Sequence, residues 1–160
     1  MNNSYVFIGA HPDDVEVGCA GLIRRLFRER KDVYIILATF GEKTGLKNFK
    51  YNEFKNSMRY LGVASNRTYL LGLEDGHIEN NFNTIQKIEN ILKTIKPNVV
   101  VVMSPDDTHQ DHRNISLSTI SASRKVKNLL LYESISTNNF KPNLFFDISA
   151  DIKFKEKSLD

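Results

Sequence analysis

The stretch AHPDDVE, residues 10–16, sets His11 beside Asp13 and Asp14, and HQDH, residues 109–112, sets His109, Asp111 and His112 close together. Adjacent carboxylates repel one another unless a positive group sits among them. Two imidazoles and one carboxylate, with a position left open for water, form a common ligand set for a catalytic divalent metal, zinc above all. A tight turn lets His11 and Asp14 address one ion while Asp13 stays near it but free. One His from 109–112 would complete the set. Such a metal lowers the pKa of a bound water toward ~7, and a spare carboxylate, Asp13, can take its proton as general base. The other His can face a developing oxyanion or a leaving amine. Asp111 can hold that His in the needed tautomer. These parts suit metal-assisted hydrolysis of an amide. Taken singly, Asp13 or Asp14 reads as a helix N-cap and the two later histidines as loop residues. Taken together, two His/Asp clusters point to a site.

The elements around these clusters put them on one edge. YVFIGA (5–10), DVYIILATF (32–40), RTYLLGL (67–73) and NVVVVMS (98–104) are short, nearly continuous apolar runs, the pattern of strands buried on both faces. NLLLYES (128–134) and NLFFDIS (143–149) read as two more strands. Between them, apolar residues recur at helical spacing: Val15, Cys19, Leu22, Ile23 and Leu26; then Phe54, Met58 and Leu61, closed by Gly62; then Ile85, Ile88, Leu92 and Ile95, stopped before Pro97. A fourth helix is expected from about Arg113 to Lys125, with GEKTGLKNFK (41–50) and PDDTHQDH (105–112) as loops. Alternating strands and helices predict parallel pairing with right-handed crossovers, hence a Rossmann-like, doubly wound, mostly parallel sheet in a three-layer αβα sandwich. Ligands bind outside the carboxyl ends of such strands. Both clusters follow strong strands, so they share that edge although about 100 residues separate them.

The 160 residues suit a single domain, 1–160, with a real core. Net charge is +3, too small and scattered for a nucleic-acid partner. With one Cys there is no internal disulfide framework, and Cys19 falls on an apolar stripe where an inert core thiol is expected. No apolar run reaches the ~20 residues a transmembrane helix needs, and the N-terminus lacks a signal-peptide pattern. A cytoplasmic protein is expected. His77, after Glu74-Asp75-Gly76 in a turn, reads as a surface residue; Phe49, Tyr51 and Phe54 read as packing residues. No nucleophile elbow or phosphate-binding glycine loop occurs.

On AHPDDVE and HQDH the sequence resembles the PIG-L/LmbE-like family of zinc-dependent de-N-acetylases, which act on N-acetylglucosamine conjugates. TFGE (39–42), the segment NEFKNSMRYLGV (52–63) and LEDG (73–76) sit where that family has a Thr-x-Gly-Glu loop, a Glu-containing helix and an Asp-Gly turn, so the likeness runs over nearly the whole chain. The resemblance implies that His11, Asp14 and His112 hold one Zn2+ and that Asp13 is the base. It also implies that His109, backed by Asp111, is the acid and oxyanion stabiliser. Glu42, Lys50 and Asp75 would contact a small-molecule amino-sugar conjugate, and homo-oligomers are common among such proteins. Three departures stand out: Lys50 where an Arg is common, Asp106-Asp107-Thr108 ahead of HQDH where an Arg or Tyr is common, and an end at Asp160 soon after 143–149. The chain therefore reads as short at its C-terminus. The activity expected is removal of an N-acetyl group to give acetate and a free amine. The alternatives are another acylated substrate or a shortened, non-catalytic domain that binds a sugar or a partner.

Overall fold

A computed structural model describes residues 3–45 and 47–159; the expected loop at 41–50 and the single domain over 1–160 thus each include residues outside the described ones. Five strands, β1 (Ser4–Gly9), β2 (Asp32–Leu37), β3 (Thr68–Leu70), β4 (Val99–Met103) and β5 (Asn128–Tyr132), form one sheet in the order β3-β2-β1-β4-β5. Every pairing is parallel. Among the described residues five α-helices cover it: α1 (Asp14–Arg28), α2 (Lys47–Leu61), α3 (Phe82–Ile95), α4 (Gln110–Ala122) and α5 (Ile152–Leu159). α1, α2 and α5 pack with one another, and α3 packs with α4. The result is the expected three-layer αβα sandwich. No helix among the described residues is long and apolar enough to cross a membrane.

The apolar runs explain the layering. β1 and β4 are central, with Val6, Phe7, Ile8, Val100 and Val102 fully buried. A strand covered by helices on both faces must be apolar at successive positions rather than alternate ones. Chain order leaves β1 toward β2 on one side and enters β4 from the other, so β1 and β4 flank the point where the winding reverses. A crevice opens there, outside their carboxyl ends. Tyr132 ties β5 to this centre. Its ring lies where a Cβ on Gly18 of α1 would sit, and its hydroxyl donates to the Ile8 carbonyl at 3.2 Å.

Several expected element limits change. The regular ladder of β2 stops at Leu37, although Ala38 and Thr39 still donate to the Gly9 and Ala10 carbonyls. β3 keeps only three ladder residues; Gly72 takes φ +64, and Leu71 and Leu73 donate to the Leu37 and Ala38 carbonyls from an irregular path. α2 begins at Lys47, inside the expected loop, and α4 begins at Gln110 rather than near Arg113. The run 143–149 is not a strand. It pairs with no ladder, and its Leu144 and Phe145 are exposed. Instead it lies over α1: Ile148 fills the space beside Gly21, and Arg25 donates to the Asp147 carbonyl at 3.0 Å. Of its apolar residues only Ile148 is drawn against the helix, half-buried, while Leu144, Phe145 and Phe146 stay exposed.

Candidate active site

β1 ends at Gly9, and the chain turns at once into α1. Asp14, the first helical residue, fixes that turn by accepting the backbone amides of Ala10 (3.0 Å) and His11 (2.8 Å) on Oδ2. Asp13 holds the N-cap position but makes no capping hydrogen bond with its side chain, and its φ is +96. Positive φ is uncommon for a residue with a Cβ and is mostly tolerated by Asn, Asp and His. The turn thus places the Asp13 side chain, which is exposed, away from the helix amides.

On the other side of the crevice, His109 is the N-cap of α4 and does cap it, its Nδ1 accepting the Asp111 amide at 3.2 Å. His112, one turn on, is buried. Its Nε2 stands 3.2 Å from Asp14 Oδ1 and its Nδ1 3.1 Å from Asp107 Oδ2. The two rings stack with centroids 4.6 Å apart, and the His11 ring lies 4.9 Å from His109 and 5.5 Å from His112. Both sequence clusters therefore meet, as their placement after β1 and β4 requires.

The charges follow from this crowding. Burial works against the His11 cation, but Asp14, with Asp111 and Asp75 behind it, lifts the imidazole to about 9. His112 is raised for the same reason: burial opposes, and Asp14 and Asp107 prevail. The Asp14 carboxyl is held well below the ordinary range by the two imidazoles, against the burial that would raise it. His109 moves the other way, lowered by burial and by the charges of His112 and His11. Asp13 is raised by the protein packed around its carboxyl and by Asp14, with Lys50 pulling it back. Glu16, one turn into α1, is 3% exposed, and its Oε2 finds no partner among the described residues. Burial pushes its carboxyl up to about 8.

Two overlapping sets of three donors bring their ligand atoms within 4.8 Å of one another: His11, Asp14 and His112, and His11, His109 and Asp111. In the second set the donors are already engaged. Asp111 accepts the Gly76 amide (2.6 Å) and the Ile78 amide (3.2 Å), meets His11 Nε2 at 3.0 Å, and its own amide occupies His109 Nδ1. The first set, two imidazoles and a carboxylate held acidic, fits a divalent metal in number and type of donor.

Asp111 does not stand behind the His109 imidazole. Its carboxylate is turned to the 76–78 turn and to His11, because that turn carries two amides in need of an acceptor. Asp75 and Lys50 line a cleft of about 630 Å³ that includes His11, Asp13 and His109. Glu42 does not line it. Its carboxylate accepts the amides of Phe40 (3.1 Å) and Asp75 (3.1 Å), so it shapes the loop that carries Asp75. His77 is exposed and Cys19 buried, as expected; burial pushes the Cys19 thiol up. Two charged cleft residues lie outside the set read from sequence: Lys43, beside Gly76, and Arg113, which donates to the Asp107 and Thr108 carbonyls. Only their position after a motif could have signalled them.

The pattern of the PIG-L family, described as GlcNAc-PI de-N-acetylase, matches residues 6–123. The chain is 31% identical over 155 residues to the protein named uncharacterized deacetylase YaiS of Escherichia coli (strain K12), across 90% of this chain and 81% of that one. Among solved structures it is similar to a conserved protein of Thermus thermophilus, with a TM-score of 0.88, 26% identity, and coverage of 99% of this chain and 78% of that one. It shares its fold with the N,N'-diacetylchitobiose deacetylase of Pyrococcus horikoshii, with a TM-score of 0.81, 22% identity, and coverage of 98% and 68%.

Proposed function

The chain belongs to the PIG-L family, and on that premise we propose that it is a metal-dependent hydrolase that removes the acetyl group from an N-acetylglucosamine-type conjugate, releasing acetate and a free amine. The observation that carries this reading is Asp13: an N-cap carboxylate that caps nothing, kept at positive φ on the cleft beside a donor set of metal type. His11, Asp14 and His112 would hold one Zn2+. When bound, that ion supplies an electrophile for the acetamide oxygen and acidifies a water.

The chain's own residues divide the remaining work. Asp13 takes a proton from the attacking water as its oxygen bonds to the carbonyl carbon. His109 accepts the Asp111 amide on Nδ1, so its neutral ring carries its proton on Nε2. A lowered pKa keeps it in that form at neutral pH. It is thus suited to donate a hydrogen bond to the oxyanion rather than to surrender a proton. The proton needed when the C–N bond breaks then returns from Asp13 to the leaving nitrogen. Asp75 and Lys50 flank the cleft as sugar contacts, and Asp111 fixes the 76–78 turn and the His11 ring. The expected setting is the cytoplasm, in keeping with a lone buried thiol.

The test is acetate and primary-amine release from a panel of N-acetylglucosamine conjugates, before and after removal of metal by a chelator. Activity on at least one conjugate, lost with chelation and restored by zinc, is expected. Full activity in His112→Ala with no bound zinc would refute the site.

A further inference from the structure

We propose that Asp107 is a positioning residue for His112, fixing through Nδ1 the tautomer and the orientation in which Nε2 is presented beside Asp14. The inference rests on the ligand set proposed above, and it adds a residue that no motif marked.

Asp107 follows β4 in a loop, is 3% exposed, and receives five donors on two oxygens. Oδ1 accepts the His109 amide at 2.8 Å and the Ser136 hydroxyl at 2.6 Å. Oδ2 accepts the Ser134 hydroxyl, His112 Nδ1 at 3.1 Å and the Thr137 hydroxyl at 3.3 Å. An ionised carboxylate can only accept. Four of these donors, the His109 amide and the Ser134, Ser136 and Thr137 hydroxyls, already converge on its two oxygens and hold it as an acceptor. His112 Nδ1 must therefore carry a hydrogen, and a neutral His112 has its lone pair on Nε2, the atom that faces Asp14 Oδ1. A carboxylate behind the far nitrogen of a ligating His is how metal sites commonly set tautomer and ring angle. The cradle around it is built, not incidental. Ser134, Ser136 and Thr137 come from the segment after β5, which is stapled to the Asp107 loop by the Thr108 amide on the Ser136 carbonyl (3.0 Å) and the Asn138 amide on the Asp106 carbonyl (2.8 Å). Thr137 also forms an antiparallel bridge with Asp107.

The test is a zinc titration against a chromophoric chelator, with the His112 tautomer read by long-range 1H–15N correlation on the metal-free protein at a pH where the ring is neutral. In Asp107→Ala, zinc affinity is expected to fall by ~10-fold to ~100-fold, the range for lost partners of this kind, and His112 to shift toward the Nε2–H form. Asp107→Asn, whose amide oxygen can still accept from Nδ1, should recover most of that loss, which a merely structural loop contact would not produce. If Asp107→Ala does not fold, Ser134→Ala with Ser136→Ala loosens the cradle and should weaken zinc several-fold. Affinity within twofold of the parent chain and an unchanged tautomer in whichever of these folds would overturn the proposal. The tautomer is read without metal or turnover, so a wild-type chain that hydrolyses no acetamide would refute the proposed activity and leave this inference decided on its own result.

Discussion

Helix α1 opens with Asp13 at its N-cap and α4 with His109, and only the second makes a capping bond. Asp is among the best capping residues and His is not, so local preference predicts the reverse. The difference shows where each side chain is committed. In α1 the turn is already tied by Asp14 through the Ala10 and His11 amides, and Asp13 is released at the expense of a positive φ. In α4 one nitrogen of the His109 ring serves the helix, which fixes the proton on the other. One cap residue is freed by strain and the other is set by satisfying the helix.

The sharpest way to break this contrast is to remove the two caps and compare activity with stability. Asp13→Ala should lower kcat by ~100-fold to ~10,000-fold, the usual share of a general base, with little loss of helix stability. Asp13→Gly should be as inactive and yet melt at a higher temperature than the parent, because residues in such backbone regions store about 1–3 kcal/mol and glycine relieves it. A fall in melting temperature typical of a lost cap would show that Asp13 caps α1 after all. His109→Ala should cut kcat by ~100-fold to ~1000-fold, as for a single oxyanion donor, and destabilise the chain by about 0.5–2 kcal/mol through the lost cap. His109→Asn should restore the stability, measured by urea unfolding, but not the turnover.

The pH dependence of the metal-free chain sharpens the comparison further. His11 has an ordinary value of 6.5 and is raised to about 9. The stability it contributes is complete below about 6.5 and lost as pH rises through about 9. Glu16, raised from 4.5 to about 8, acts with the same sign over its own range. Asp14, depressed, contributes stability that is present above 3.8 and lost as pH falls below it. The melting temperature of the metal-free chain should therefore decline steadily from pH 5 to 9, and Glu16→Gln should flatten the part between about 4.5 and 8. A melting temperature that rises over that interval would contradict the charge arrangement at the head of α1. The smallest effect is expected from Tyr132→Phe, about 1 kcal/mol for the loss of one hydrogen bond to the Ile8 carbonyl, with zinc affinity unchanged.

What could be read from sequence follows from range. His11, Asp13, Asp14, His109 and His112 were legible because each cluster follows a run so apolar that only a buried central strand explains it. The parallel order then puts both at one edge. The start of α4 was misplaced by about a turn because a His N-cap carries no ordinary signal. Residues 143–149 were misread because an apolar run looks alike whether it pairs in a sheet or lies on a helix. The sequence reading pairs Asp111 with His109, two positions away in the same motif, whereas the fold pairs it with His11 across the crevice. Asp107 was passed over because its hydroxyl partners lie 27 to 30 positions onward.

Those hydroxyls have a consequence during synthesis. A chain growing from its N-terminus displays His11, Asp13 and Asp14 early, and α4 much later, but the segment that cradles Asp107 emerges only after β5. Until Thr137 has left the ribosome, His112 lacks the fixed acceptor that orients it. The final edge strand and its tail thus act as a maturation step. A nascent chain stopped short of residue 137 would fold much of its sheet yet hold a metal poorly, and loading would follow the docking of β5 rather than precede it.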